Sequence, residues 1–403
     1  MSRASFAIAS LLAAAAAIPQ VSRADVVTEW NVVAINAAAA SSSLVESRAL
    51  AIAHAAMFDA VNAVERRYQP YLANVKAPAG MSLDAAGASA MHGVLLWIFP
   101  ERKAMLDGAL ATTLGRVAEG SSREAGVNLG REVAQAYVNA RAKDGASASA
   151  SHVPASGPGQ WQPTPPAHAP MAAPQWADIT PYTVKSFADL DVKGPPALSS
   201  AAYAKDLDEV RRLGARNSTE RTADQTAAAI YWVTNTSIPW QAAARSAAEQ
   251  RRTGVVDNAR AFALINMACA DAYIAVWQGK KKFNHWRPVH AIRNAATNPD
   301  PAWEPLLNTP AHPEYPSGHC ICSGASAQAI QALYKVEEVT FSATFGGPNG
   351  VTRTWKSIGQ AEKEVEGARI WGGIHFRTAD EHGTQLGRAI ASRAVASIMK
   401  PNL

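Results

Sequence analysis

Residues His312 to Cys320 read HPEYPSGHC, and SGASAQAIQALY follows shortly behind with the small-residue pattern of a helix start. The first amides of a helix have no intrahelical acceptors, so a Pro-Ser-Gly turn placed there suits an oxyanion. Ser317 adds a hydroxyl, Gly318 a backbone donor, and His319 a group that can exchange protons with whatever is held. Upstream, WQGKKKFNHWRPVHAIR sets Lys280 and Arg287 seven residues apart, nearly two helical turns and so on one face. Pro288 disfavours helical geometry at Arg287 and turns that side chain inward. Lys281 and Lys282 read as a solvated basic run. Downstream, GARIWGGIHFRTADEHG puts Arg369 and His375 six apart, about 600° on a continuous helix, which could not aim both at one point. Gly372-Gly373 supplies the break that lets them converge.

Three cations, one hydroxyl, turn amides and two histidines match a tetrahedral oxyanion. Arginine forks bind its oxygens bidentately, lysine adds a point charge, and the amides complete the cradle. No GxxxxGK[ST] stretch is present, so the P-loop route to phosphate is excluded. Two histidines at a bound anion divide the work: one attacks or coordinates the central atom, the other exchanges protons with an apical oxygen.

Lys280-x6-Arg287-Pro288, Pro316-Ser317-Gly318-His319 and Arg369-x5-His375 resemble, in order and spacing, the three signature motifs of the vanadium-dependent haloperoxidases. The type-2 phosphatidic acid phosphatase and bacterial acid phosphatase superfamily shares these motifs. The resemblance implies vanadate as cofactor, its equatorial oxygens neutralised by Lys280, Arg287 and Arg369 together with Ser317 and the Gly318 amide. It makes His375 the axial ligand, and so the metal-binding residue, and His319 the acid–base partner of the apical oxygen. Hydrogen peroxide, a halide and a small organic acceptor would be the reactants. His312, five residues before Ser317, stands where the bromide-oxidising members carry histidine and some chloride-oxidising ones an aromatic residue. It is the expected halide-pocket residue, favouring bromide and iodide.

Two other readings stand beside this one. In a soluble exported acid phosphatase, His375 would be the nucleophile that forms a phosphohistidine. The phosphatase third motif usually begins Ser-Arg and ends with Asp four residues after the histidine; here Ala368 and Ala379 occupy those places and the acid comes one later, at Asp380. A non-catalytic oxyanion-binding protein would need the cradle without His319. Asp271 and Asp380 are candidate ion-pair partners of the cradle arginines, and residues Trp232 to Trp240 candidates for the entrance. His285 and His290 receive no role.

The elements that must position these residues read as helices. Ser43 with Glu46, and Ser121 with Glu124, form capping-box patterns ahead of 3–4-spaced apolar residues. His54 lies on such an apolar face and reads as a hydrogen-bonded core histidine. From 145 to 200 the composition turns to Pro, Ala, Ser and Gly, yet Trp161, Trp176, Tyr182 and Phe187 sit among the prolines, which predicts an ordered strap rather than a free linker. VTFSATF and VTRTW flank the turn-rich GGPNG as one small β-hairpin. The predicted fold is all-α, helical bundles of the haloperoxidase and acid phosphatase type. Its parts are a leader over 1–24, a helical half over 25–144, the strap over 145–200, and a helical half over 201–403 that carries the site within one integrated catalytic domain.

The first 24 residues have a lone Arg3, an apolar run from Phe6 to Ile18 and a Ser22-Arg23-Ala24 cleavage pattern, the form of a secretory signal for a periplasmic or secreted protein. No later stretch reads as the roughly 18 uninterrupted apolar residues of a membrane span. Without Arg3 and Arg23 the net charge of +5 falls by two to +3, too weak and too scattered for nucleic acid. Cys269, Cys320 and Cys322 leave one disulfide from Cys269 to the Cys320/Cys322 pair and buried free thiols both open. A homo-oligomer is left open as well.

Overall fold

Alanine-rich helices that approach one another closely set the architecture. The computed structural model describes residues 25–190, 192–296, 298–345 and 350–402. The expected leader lies outside them. Five helices precede the strap: α1 (Val26–Ala38), α2 (Ser43–Glu65), α3 (Leu83–Ile98), α4 (Lys103–Leu114) and α5 (Ser121–Arg141). Eight follow it: α6 (Ala201–Leu213), α7 (Ala223–Tyr231), α8 (Ser237–Arg251), α9 (Val255–Phe283), α10 (Pro288–Arg293), α11 (Gly318–Tyr334), α12 (Ile358–Trp371) and α13 (Arg377–Ser397). The expected hairpin pairs β1 (Phe341–Phe345) with β2 (Val351–Trp355), Phe341 opposite Trp355. The mostly-α expectation holds.

α9 is the axis. It packs against α2 on one side and against α11 and α13 on the other, and residues Ala259 to Trp277 are buried almost without interruption. By length and mean hydropathy α9 would pass as a membrane span, although Asn266 and Asp271 interrupt its apolar run; 94% of its apolar window is buried in the bundle. A helix covered on every side needs no polar stripe, which is why its sequence is apolar all round. α11 and α13 cross at small residues: a Cβ at Gly387 or Gly324 would strike the backbone carbonyls of Ile321 and Thr384.

Cys269 of α9 and Cys322 of α11 form a disulfide, with Cα atoms 4.8 Å apart, and Cys320 is the buried free thiol. The strap residues Trp161, Trp176, Tyr182 and Phe187 are buried. The strap is pinned by Asp271 of α9, which accepts from the Tyr182 and Thr183 amides (2.7 and 2.8 Å) and from the Thr183 hydroxyl (2.6 Å). That corrects Asp271 as a partner of the cradle arginines: it has no ion pair among the described residues, and burial pushes it up to about 6.

Both capping-box readings also fail. The N-cap of α2 is Ser42, whose hydroxyl accepts from the Val45 amide, and Glu46 is fully buried rather than folded back on the helix end. α5 begins at Gly120 with no side-chain cap. His54 is a buried core histidine 3.1 Å from the Asn31 amide, and burial lowers it to about 3.

Candidate active site

The three motifs meet where the helices break. α9 ends at Phe283, Asn284 turns left-handed, and Arg287 is the extended N-cap of α10, held there by Pro288. Lys280 and Arg287 therefore converge through a break rather than along one helix face. α12 ends at Trp371, Gly373 adopts φ +74°, and α13 starts at Arg377, so Arg369 and His375 reach one point through the expected diglycine. Ser317 is the N-cap of α11, but its hydroxyl makes no cap bond. The first α11 amide bonded back along the helix is Ile321, to the Ser317 carbonyl, which leaves those of Gly318, His319 and Cys320 without intrahelical acceptors.

A cavity of about 90 Å³ lies at this junction. Gly318, His319, Arg369 and His375 line it together with Ser43, Leu44, Tyr273, Trp277, Pro310 and His312. His312 packs on Trp277 with ring centres 5.1 Å apart. Trp232 to Trp240 do not line it; their backbone braces it from behind.

The hydrogen bonds assign the imidazole tautomers, because a guanidinium only donates and a carbonyl only accepts. Arg287 donates through Nη1 to His375 Nε2 (3.1 Å) and the Ile374 carbonyl (2.7 Å), and through Nη2 to His312 Nδ1 (2.9 Å). His375 Nε2 is thus the lone pair, and its Nδ1–H donates to Glu314 Oε1 at 2.7 Å. His312 Nδ1 also lies 3.1 Å from the Pro313 carbonyl, but as an acceptor from Arg287 it cannot donate there as well. His319 Nε2–H donates to the Thr234 carbonyl at 3.3 Å, which leaves its Nδ1 as the free lone pair. Arg369 donates from Nη1 to the Trp232 carbonyl at 2.6 Å.

Glu314 was not among the expected site residues. Its Oε1 accepts from His375 and from the Phe376 amide (3.0 Å), doing the orienting job that the sequence reading looked for after His375. Its place inside HPEYPSGH was the available signal. Asp380 instead accepts from the Cys320 thiol (3.2 Å) beside Ser317, and has no ion pair with Arg287 or Arg369. Lys280 is tied down too: its ammonium donates to the carbonyls of Pro313 (2.8 Å), Glu314 (3.0 Å) and Pro316 (2.6 Å), which uses all three N–H groups. It shapes the turn ahead of Ser317 and acts on the cavity as charge.

Electrostatics point to an anion. Burial, then the Arg287 charge, holds Lys280 well below its usual range, and burial brings Arg287 down to about 9. Burial pushes Glu314 up to about 7 and Asp380 well up, so the local carboxyls are poor counterions for three cations. Burial and the neighbouring guanidiniums also hold His375 and His319 neutral. The Ser317 hydroxyl and Arg369 Nε are buried without partners. Unpaired donors, free helix amides and uncompensated positive charge at one cavity fit a tetrahedral oxyanion such as vanadate.

A family model described as the VCPO second helical-bundle domain matches residues 260–402. The vanadium chloroperoxidase of Curvularia inaequalis is 31% identical over 198 residues, 40% of this chain and 30% of that enzyme's length. A bacterial vanadium-dependent iodoperoxidase superposes with a TM-score of 0.80 at 25% identity, over 93% of this chain and 97% of that one. A holo-type bacterial vanadium-dependent chloroperoxidase gives 0.72 at 19% identity, over 87% and 90%, a likeness of fold. The second half of the chain thus carries the second helical bundle of the vanadium chloroperoxidases, and the fold as a whole is that of the bacterial vanadium-dependent haloperoxidases.

Proposed function

We propose that this protein is a vanadate-dependent haloperoxidase that oxidises halide, bromide and iodide foremost, with hydrogen peroxide to a hypohalite-like species that halogenates small organic acceptors. The observation that carries the reading is the 90 Å³ cavity, small enough for an oxyanion and small reactants, which the packed pair His312 and Trp277 lines together with His319 and His375.

His375 Nε2 would hold vanadium once Arg287 releases it, while Glu314 keeps the Nδ1 proton in place. Ser317, the Gly318 amide and Arg369 would hold the oxygens, and Lys280 and Arg287 would balance their charge. Bound vanadate supplies Lewis-acid activation of peroxide without changing its oxidation state. His319, neutral with a free Nδ1, would take up and give back a proton at that nitrogen as peroxide is bound. His312, protonated on Nε2, offers a donor to a halide.

Glu314 also lends weight to the phosphatase reading, because a carboxyl behind His375 would serve a nucleophilic histidine equally well. A paired assay separates them. Vanadate-dependent bromination of a phenol in phosphate-free buffer, suppressed by added phosphate, is the expected result. Hydrolysis of an aryl phosphate inhibited by vanadate, with no bromination, would overturn it. His319→Ala should cost about 10²- to 10⁴-fold in turnover while orthovanadate binding stays within a few-fold.

The protein is further proposed to be exported, periplasmic or secreted, with no membrane span and no nucleic-acid partner. The Cys269–Cys322 disulfide supports an oxidising compartment.

A further inference from the structure

The catalytic histidines are not braced alike. A carboxyl stands behind His375, whereas backbone carbonyls of one turn, Thr234 nearest at 3.3 Å and Trp232 beside it, stand behind His319. Thr234 belongs to the turn between α7 and α8, and the same turn supplies the Trp232 carbonyl that holds Arg369. Whatever fixes this turn therefore fixes the proton on His319.

The fixing group is Glu46, fully buried on the far side of the turn. Its two carboxyl oxygens accept from Asn235 Nδ2 and Ser237 Oγ in short hydrogen bonds. Asn235 is gripped from the same helix start by Ser43, whose hydroxyl donates to Asn235 Oδ1 (2.8 Å), and it donates to the Ser41 carbonyl (3.1 Å). Tyr273, in the cavity wall, donates to Thr236 Oγ1 at 3.2 Å. The three residues that follow Thr234 are thus anchored.

Resting on the proposed acid–base role of His319, we propose that Glu46 is a positioning residue: by clamping Asn235 and Ser237 it holds the Thr234 carbonyl against His319 Nε2–H, so that Nδ1 stays free toward the anion. Removing the carboxyl leaves the Asn235 and Ser237 donors buried without an acceptor, so the turn relaxes and the Nε2–H tautomer loses its partner. A glutamine keeps an acceptor for Asn235, and its amide can donate to Ser237, so it should restore the clamp.

The test is selective ¹⁵N-histidine NMR on the full chain without vanadate, with His319→Ala identifying the His319 signals. The wild type should show a neutral Nε2–H tautomer. Glu46→Leu should show a mixture of tautomers and bind orthovanadate about tenfold more weakly, through the loosened Arg369. Glu46→Gln should return both readouts to the wild-type pattern. Should Glu46→Leu not fold, Asn235→Ala removes the other half of the clamp and should produce the same mixture. An unchanged His319 tautomer in whichever of the Leu and Ala variants folds overturns the proposal. A shift as expected in a wild type that neither binds orthovanadate nor brominates leaves the clamp standing and removes the proposed function instead.

Discussion

His375 owes its usefulness to where its proton sits. With Nδ1–H given to Glu314, Nε2 is a fixed lone pair at the cavity, and burial, then the cations around it, keeps the ring neutral. Glu314→Ala takes away the acceptor, so orthovanadate affinity should fall by about 10- to 100-fold, measured by titration of the purified protein. Glu46 carries a different consequence, through acid–base linkage. Burial raises it from 4.5 to about 7 in the folded chain. Between those values the folded state holds a proton that the unfolded state has lost, so stability from this group is full below 4.5 and declines as pH rises through 7. That amounts to roughly 3 kcal/mol, and Glu46→Gln should remove it, seen as a flatter dependence of denaturation midpoint on pH from 4.5 to 7. Unequal legibility of these residues has a physical cause. Lys280, Arg287, Ser317, Arg369 and both histidines are side chains at fixed spacings around Gly and Pro breaks. Glu314 acts across the fold, Thr234 and Trp232 act through carbonyls that carry no residue signature, and Glu46 satisfies a capping pattern while being used for something else.

The elements hold the site by their ends. Lys280 closes α9, Ser317 opens α11, Arg369 closes α12, and Gly373 turns the chain back so that His375 precedes α13. Turn chemistry of this kind is local, which is why the breaks were legible and the helix–helix register was not. The disulfide between Cys269 and Cys322 fixes part of that register by tying α9 to α11 across 53 residues. Chain-entropy arguments give such a link about 4 kcal/mol. Cys269→Ser, or reduction of the wild type, should therefore lower the thermal midpoint, and orthovanadate should recover part of the loss by binding only the folded state. A midpoint indifferent to reductant would show that the two helices need no staple.

At the scale of the molecule, the strap runs between α5 and α6 and is held on α9 by the buried Asp271 carboxyl, with Trp277 and Gln278 donating to its Ala172 and Ala177 carbonyls. The Trp and Tyr anchors made the strap readable as ordered, but its clasp, Asp271, was assigned to the wrong partner, because a buried acid near arginines in sequence looks the same whether it meets a guanidinium or two backbone amides. Asp271→Ala would orphan the Tyr182 and Thr183 donors, costing about 3 kcal/mol. Limited proteolysis should then cut within 183–195 at protease levels that leave the wild type intact.

The cavity is lined from both sides of the strap. Every residue proposed to hold the oxyanion lies between Lys280 and His375, whereas Ser43 and Leu44 come from the first turn of α2. Charge balance ties the former together as a set, and Ser43 is tied to Asn235. Leu44 carries neither obligation, so its size can change, and with it the small reactant admitted, without disturbing the charges that hold the anion.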